Sequence, residues 1–257
     1  MTEPLVLVQR VGSVAVLVLN NPAKRNALSR CMLTTLADRL REIAADTAIK
    51  CVIVRAVGPV FSSGHDLNEV RGAAVDELQS LFGLCTEVME AIRRLRVPVI
   101  AEVAGVATAA GCQLAATCDL VVAAQEATFA TPGVKIGLFC STPAVAVSRA
   151  IPPKKAMELL LTGQAISAAE AERIGLVNRV VPREQLSAAT LALAEQIAAA
   201  SGATVGLGKR AFYEQLPLDR PQAYEVAARA MVENAQLPDA DEGIGAFLEK
   251  RPPKWST

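Results

Sequence analysis

Residues 99–124 read VIAEVAGVATAAGCQLAATCDLVVAA, and this stretch decides the fold class. Pro98 closes the preceding helical pattern, and VIAEV (99–103) is a short run of β-favouring apolar residues. Gly105 opens a turn of small residues, AGVATAAG, that leads into a short helix over 109–117 and a second apolar strand, DLVVAA, at 119–124. Two buried strands joined through a helix call for parallel pairing, because a tight hairpin joins only antiparallel neighbours. Upstream, PLVLVQ (4–9) and VAVLVL (14–19) flank Gly12-Ser13 and read as a hairpin. A polar loop, NNPAKRNALS (20–29), ends at Ser29, placed to cap a helix whose apolar residues Met32, Leu36, Leu40 and Ile43 follow a helical period. CVIVR (51–55) is a further buried strand, followed by the loop VGPVFSSGHDL. A helix over 76–96 carries Leu78, Leu81, Phe82, Cys85, Val88, Met89 and Ile92 on one face.

Beyond residue 142 strand signals fade, and helices are expected at 142–150, 153–161, 167–174, 183–200, 203–215, 219–236 and 239–249. The expectation is an α/β protein with a strand-rich core (1–196) and a helical C-terminal region (197–257), folded as one continuous unit. With 257 residues, 52% of them apolar, the chain has material for a large core. Lys plus Arg equal Asp plus Glu at 26 each, which argues against nucleic acid or an anionic membrane as partner. No run approaches the roughly 18 apolar residues of a membrane span, and MTEPLVLVQRVGS is not a secretory leader. Cys31, Cys51, Cys85, Cys112, Cys118 and Cys140 lack CxxC spacing and read as buried reduced thiols. With a single histidine in the chain, no metal site is expected, and the location expected is cytoplasmic.

Two loops stand out for chemistry: Phe61-Ser62-Ser63-Gly64-His65-Asp66-Leu67, and Gly105 to Gln113. In the second, small side chains would let a ligand reach the backbone, and the first turn of a helix leaves N–H groups unpaired to receive an oxyanion or a thioester carbonyl. Small residues at a helix start also serve close packing, and the loops alone do not separate the two uses.

Taken in order, NPAKRNALS (21–29), FSSGHDL (61–67), AGVATAAGCQLAATCDLVVA (104–123), FATPGVKIGL (129–138), LLLTGQAISAAEAERIGLVNRVV (159–181) and FLEKRPPKW (247–255) resemble the enoyl-CoA hydratase/isomerase (crotonase) superfamily over nearly the whole chain. The resemblance implies a spiral of ββα turns with a helical C-terminal trimerisation region. It implies a homotrimer or dimer of trimers and an acyl-CoA substrate in fatty-acid metabolism. The activity implied is that of a lyase or isomerase, with coenzyme A as part of the substrate and no separate cofactor. By the same resemblance the backbone N–H groups of His65 and Ala110 form an oxyanion hole. Lys24, Arg25, Ala27, Ser63, Gly64, Asp66, Leu67, Phe247 and Lys250 would contact the CoA.

The chain departs from the family pattern at both catalytic glutamates, which are replaced by Gln113 and Gly133. Glutamine does not exchange a proton at neutral pH and glycine has no side chain, while each general acid or base contributes on the order of 10²–10⁴ in rate. The remaining candidates for proton transfer or nucleophilic chemistry are His65, with Asp66 beside it, Gln113 as an orienting group, and Cys140. The alternatives are a weak hydratase, a decarboxylase or thioesterase type that needs mainly enolate stabilisation, and a catalytically silent acyl-CoA binder.

Overall fold

A computed structural model describes residues 3–256, so the outermost residues of the two expected regions, 1–2 and 257, lie outside the described part. The hairpin forms as expected: β1 (Val6–Val11) and β2 (Val14–Leu19) pair antiparallel with Val11 opposite Val14. Ser29 caps α1 (Arg30–Ala45), its hydroxyl accepting from the Met32 N–H at 3.3 Å. Then follow β3 (Cys51–Ala56), β4 (Val60–Ser62), α2 (Val75–Arg94), β5 (Val99–Val103), β6 (Val106–Thr108), α3 (Ala110–Thr117), β7 (Leu120–Ala124) and β8 (Thr128–Ala130). The remainder is α4 (Ser141–Ala150), α5 (Pro153–Thr162), β9 (Ile166–Ser167), α6 (Ala168–Arg173), β10 (Arg179–Val181), α7 (Leu186–Ala198), α8 (Gly202–Gln215), α9 (Arg220–Ala235) and α10 (Pro238–Glu249).

The strands form two sheets. The larger runs β1-β2-β3-β5-β7-β10, with every pair beyond the hairpin parallel. Strand β2 is buried along its whole length because both faces are covered. Ala15, Leu17 and Leu19 face the main core with α1 and α2, while Val14, Val16 and Val18 meet Leu186, Leu193 and Ala194 of α7. A strand buried on both faces reads as a continuous apolar run rather than an alternating one, as VAVLVL does.

The smaller sheet, β4-β6-β8-β9, was not expected: β4 and β6 fall in segments that read as a loop and a turn, β8 in one with no strand reading, and β9 lies past residue 142, where strand signals fade. Its members are two or three residues long, too short to leave a periodic signal. β10, in the larger sheet, was missed for the same reason. The expected helix 183–200 is instead a 3₁₀ turn at Arg183–Gln185 followed by α7. Of the six cysteines, Cys31 is exposed on the outer side of α1 rather than buried; the other five are buried and all are free thiols.

The small sheet positions the site. β4, β6 and β8 are parallel neighbours, with Ser62 opposite Ala107 and Thr108 opposite Ala130. Their C-terminal ends therefore deliver Gly64, Ala110 and Pro132 to one side of the molecule. Glycine permits the approach: a Cβ on Gly105 would stand 2.0 Å from the Pro59 carbonyl oxygen, and one on Gly111 2.2 Å from that of Ser62.

The candidate thioester site

The expected donors, His65 N–H and Ala110 N–H, are brought together by Gly64. This residue has φ +86°, and a Cβ on it would lie 2.8 Å from the Ala109 Cβ and 3.0 Å from the Ala110 nitrogen. The peptide leading into His65 thus runs against the first turn of α3. Among the described residues neither N–H has an acceptor, whereas the flanking groups do: Ala109 N–H donates to the Ala130 carbonyl at 2.9 Å and Gln113 N–H to that of Ala109 at 3.1 Å. Two unpaired N–H groups on one rim, one of them at a helix N-terminus, suit a carbonyl oxygen that gains negative charge.

The expectation that this loop would already be helical at the two alanines holds for Ala110 only. Ala109 sits at φ 50°, ψ −121° immediately before α3. That is glycine's region, and a residue with a Cβ held there stores on the order of 1–3 kcal/mol of strain. The packing of Gly64 and the Ala109–Ala130 bond hold it in place.

The 21–29 loop closes one flank. Ser63 N–H donates to the Arg25 carbonyl at 3.1 Å, Leu28 N–H to that of Gly64 at 2.7 Å, and Lys24 Nζ lies 3.4 Å from Asp66 Oδ2. Lys24, Arg25, Ala27, Ser63, Gly64, Asp66 and Leu67 therefore share one corner, with Leu67 52% exposed and Ala27 buried. Asp66 also accepts from the Asn68 N–H at 3.0 Å, and that bond, with Lys24 nearby, holds its carboxyl below the ordinary range. Phe247 and Lys250 lie elsewhere: Phe247 is 82% exposed on α10, which packs on α8 and α9.

Asn26, in the sequence only one member of the 24–27 segment, organises that corner. Fully buried, it donates to the carbonyls of Val57 and Val60 at 3.0 and 2.7 Å and accepts from the Asn21 N–H at 2.8 Å. Arg25 and Asn26 both adopt positive φ. An asparagine is among the few residues that visit that region readily, and this was the available signal.

The proton-transfer candidates are differently placed. The His65 ring lies edge-on to Phe82, with Nδ1 3.2 Å from the Leu28 carbonyl. A carbonyl only accepts, so Nδ1 carries the proton and the buried, unpartnered Nε2 holds a lone pair. Burial lowers its pKa, outweighing the Leu28 bond and the Glu69 charge, and the ring stays neutral. Gln113 is buried on α3, and its Oε1 has no partner. At Gly133 a Cβ would stand 2.2 Å from the Leu138 carbonyl oxygen and 2.8 Å from the Cys140 sulfur. The second glutamate is therefore not only absent; backbone fills its place. The Cys140 thiol itself is buried and pushed up by burial, which disfavours the thiolate a nucleophile needs.

This chain belongs to the enoyl-CoA hydratase/isomerase family, whose pattern matches residues 9–257. It is 52% identical over 241 residues to mouse (Mus musculus) enoyl-CoA hydratase domain-containing protein 3, mitochondrial, covering 93% of this chain and 80% of that one. The Danio rerio protein of the same name is 50% identical over 256 residues, 99% of this chain and 89% of the relative. The crystal structure of the human protein of that type superposes with a TM-score of 0.95 at 48% identity, covering 98% of this chain and all of that one. An enoyl-CoA hydratase structure from Mycobacterium smegmatis superposes at 0.97 with 47% identity, covering 99% and 100%. The mixed α/β architecture with its helical C-terminal region is thus the crotonase fold. The cytoplasmic expectation is corrected: relatives half-identical over nearly the whole chain are named as mitochondrial. Unpaired cysteines do not distinguish one reducing compartment from another.

Proposed function

We propose that the protein binds an acyl-CoA thioester with its carbonyl oxygen between the N–H groups of His65 and Ala110 and stabilises the enolate formed there. The observation that carries this reading is the pair of unpaired N–H groups held on one rim by Gly64. Removing one such donor in a working oxyanion hole costs about 2.7–4 kcal/mol. The CoA would run past Lys24, Arg25 and Ala27 and the backbone of Ser63 to Leu67. Phe247 and Lys250, at the end of the C-terminal helix, would reach the CoA of this or of a neighbouring subunit. Exposed apolar residues on the C-terminal helices, among them Tyr224, Met231, Ile244 and Leu248, support assembly through that region into a trimer or a dimer of trimers.

Hydration by a pair of glutamates is not the reading favoured. Gln113 offers an amide where a carboxylate would work, and Gly133 has no room for one. Reactions driven mainly by enolate stabilisation, such as decarboxylation of an acyl-CoA, fit the site better, and silent binding is the alternative. The experiment is a titration of the full chain with butanoyl-CoA by calorimetry, paired with loss of the enoyl absorbance of crotonyl-CoA. Binding in the micromolar range with hydration at least 10²-fold below that of a two-glutamate hydratase is expected. Hydration at full rate would overturn the assignment of the missing carboxylates, and absence of binding would overturn the site.

A further inference from the structure

One helical turn beyond Ala110, α3 becomes the floor of a cleft between α2 and α4 with a volume of about 210 Å³. That is smaller than the roughly 300–1,000 Å³ of pockets that enclose drug-sized ligands, and it suits a short acyl group. The lining is mixed rather than purely apolar. Met89, Val145 and Ala146 are apolar, but Gln113 and Thr117 are buried polar residues, and Thr142 adds a hydroxyl from α4. The Gln113 Oε1 is buried without a partner, and an alkyl chain laid over it would leave it so at a cost of about 1–3 kcal/mol.

The far end of the cleft is cationic. Lys209 Nζ bonds both the Ile92 carbonyl (3.0 Å) and Asp119 (2.7 Å), so the Arg93 end of α2 lies level with the C-terminal end of α3, away from Ala110. α4 starts at Ser141, just past Cys140, which lies beside Gly133, and carries Arg149 toward its other end. Arg93 and Arg149 thus line the end of the cleft opposite the thioester donors. Arg93 stacks over the Tyr213 ring at 3.7 Å, and Arg149 donates to the Val145 carbonyl at 3.0 Å. Neither has a carboxylate within ion-pair distance among the described residues, whereas Glu90, the acidic residue of the cleft, is engaged by Arg94 at 3.2 Å.

Resting on the thioester reading above, we infer that the acyl group selected is short and ends in a carboxylate, a dicarboxylic acid mono-CoA ester whose free end meets Arg149 and Arg93. A guanidinium without a protein carboxylate recognises such an end by charge-assisted hydrogen bonds. An alkyl terminus of the same length would instead desolvate both cations.

The test is calorimetry on the full chain with the mono-CoA esters of succinic, glutaric and adipic acids against alkanoyl-CoA esters of matching length. At least one dicarboxylic ester should bind tenfold or more tighter than its alkanoyl match, and Arg149→Glu should cut that ratio at least tenfold. Arg149 is exposed, so the variant should fold, which circular dichroism checks. Arg93→Gln gives a second reading of the same ratio. If alkanoyl esters bind as well as or better than their acidic matches, or if neither variant moves the ratio, the inference fails while the thioester site stands. In that case the arginines only complement the helix C-termini. If no CoA ester of either kind binds, the thioester reading itself fails and takes this one with it.

Discussion

The rim that would polarise a thioester and the wall that would move protons lie within two turns of α3, yet they are built on opposite terms. At the rim the backbone is arranged at a cost: Gly64 at φ +86°, Ala109 strained at φ 50°, and two N–H groups left unpaired. At the wall the chain has relaxed into ordinary packing, with the Leu138 carbonyl and the Cys140 sulfur filling the space where a side chain at residue 133 would start. Strain kept at one place and released at the other supports the proposed carbonyl-holding role over proton transfer.

The sharpest break of that contrast is at Gly64. Gly64→Val forces a β-branched residue into positive φ against Ala109 and Ala110. We expect acyl-CoA affinity to fall at least 10²-fold, as read by calorimetry, with a stability loss of about 3 kcal/mol in urea. An unchanged affinity would remove Gly64 from the donor geometry.

Restoring the wall should fail. Gln113→Glu combined with Gly133→Glu puts both carboxylates back in the sequence, but the Leu138 carbonyl oxygen stands 2.2 Å from the new Cβ. A loss of about 1–3 kcal/mol in stability and no more than a tenfold gain in crotonyl-CoA hydration are expected. A gain of 10³-fold would mean that the 132–140 segment rearranges easily and that the wall is open after all.

Relieving the rim should show how much strain it holds. Ala109→Gly is expected to raise stability by about 1 kcal/mol, because relief of strain exceeds the entropy that glycine adds to the unfolded chain. A drop in stability on thermal melting would mean that the alanine is at ease there.

The smallest effect is a pH dependence. Burial lowers the His65 pKa from its ordinary value of 6.5, so below that value the unfolded chain takes up a proton that the folded chain resists. Stability contributed by the neutral ring is complete above pH 6.5 and is lost as pH falls from there toward the folded value. Urea melts at pH 7.5 and 5.5 should show the decline, and His65→Gln should flatten it. An identical slope in the variant would assign the decline to other groups.

Much of this was legible in the chain. The hairpin at Gly12-Ser13, the Ser29 cap and the apolar face of α1 follow from local patterns that tertiary structure had no reason to override. The buried face of α2 came out nearly as expected, with Leu78 and Phe82 only partly covered at its margin. The small sheet was not legible, since three-residue strands are formed by their neighbours rather than by their own propensity. The role of Asn26 was not legible either, because its three hydrogen bonds lead to residues as much as 34 positions away.

By itself the sequence determined the family, the order of the longer strands and helices and the absence of both glutamates, because these are properties of residue identity along the chain. Only the tertiary structure decided that Ala109 takes a glycine's conformation, that backbone fills the space beside Gly133, and that Arg93 and Arg149 line one cleft. These are close approaches between segments far apart in sequence. Sterics and charge at that range are settled by packing, and no local pattern records them.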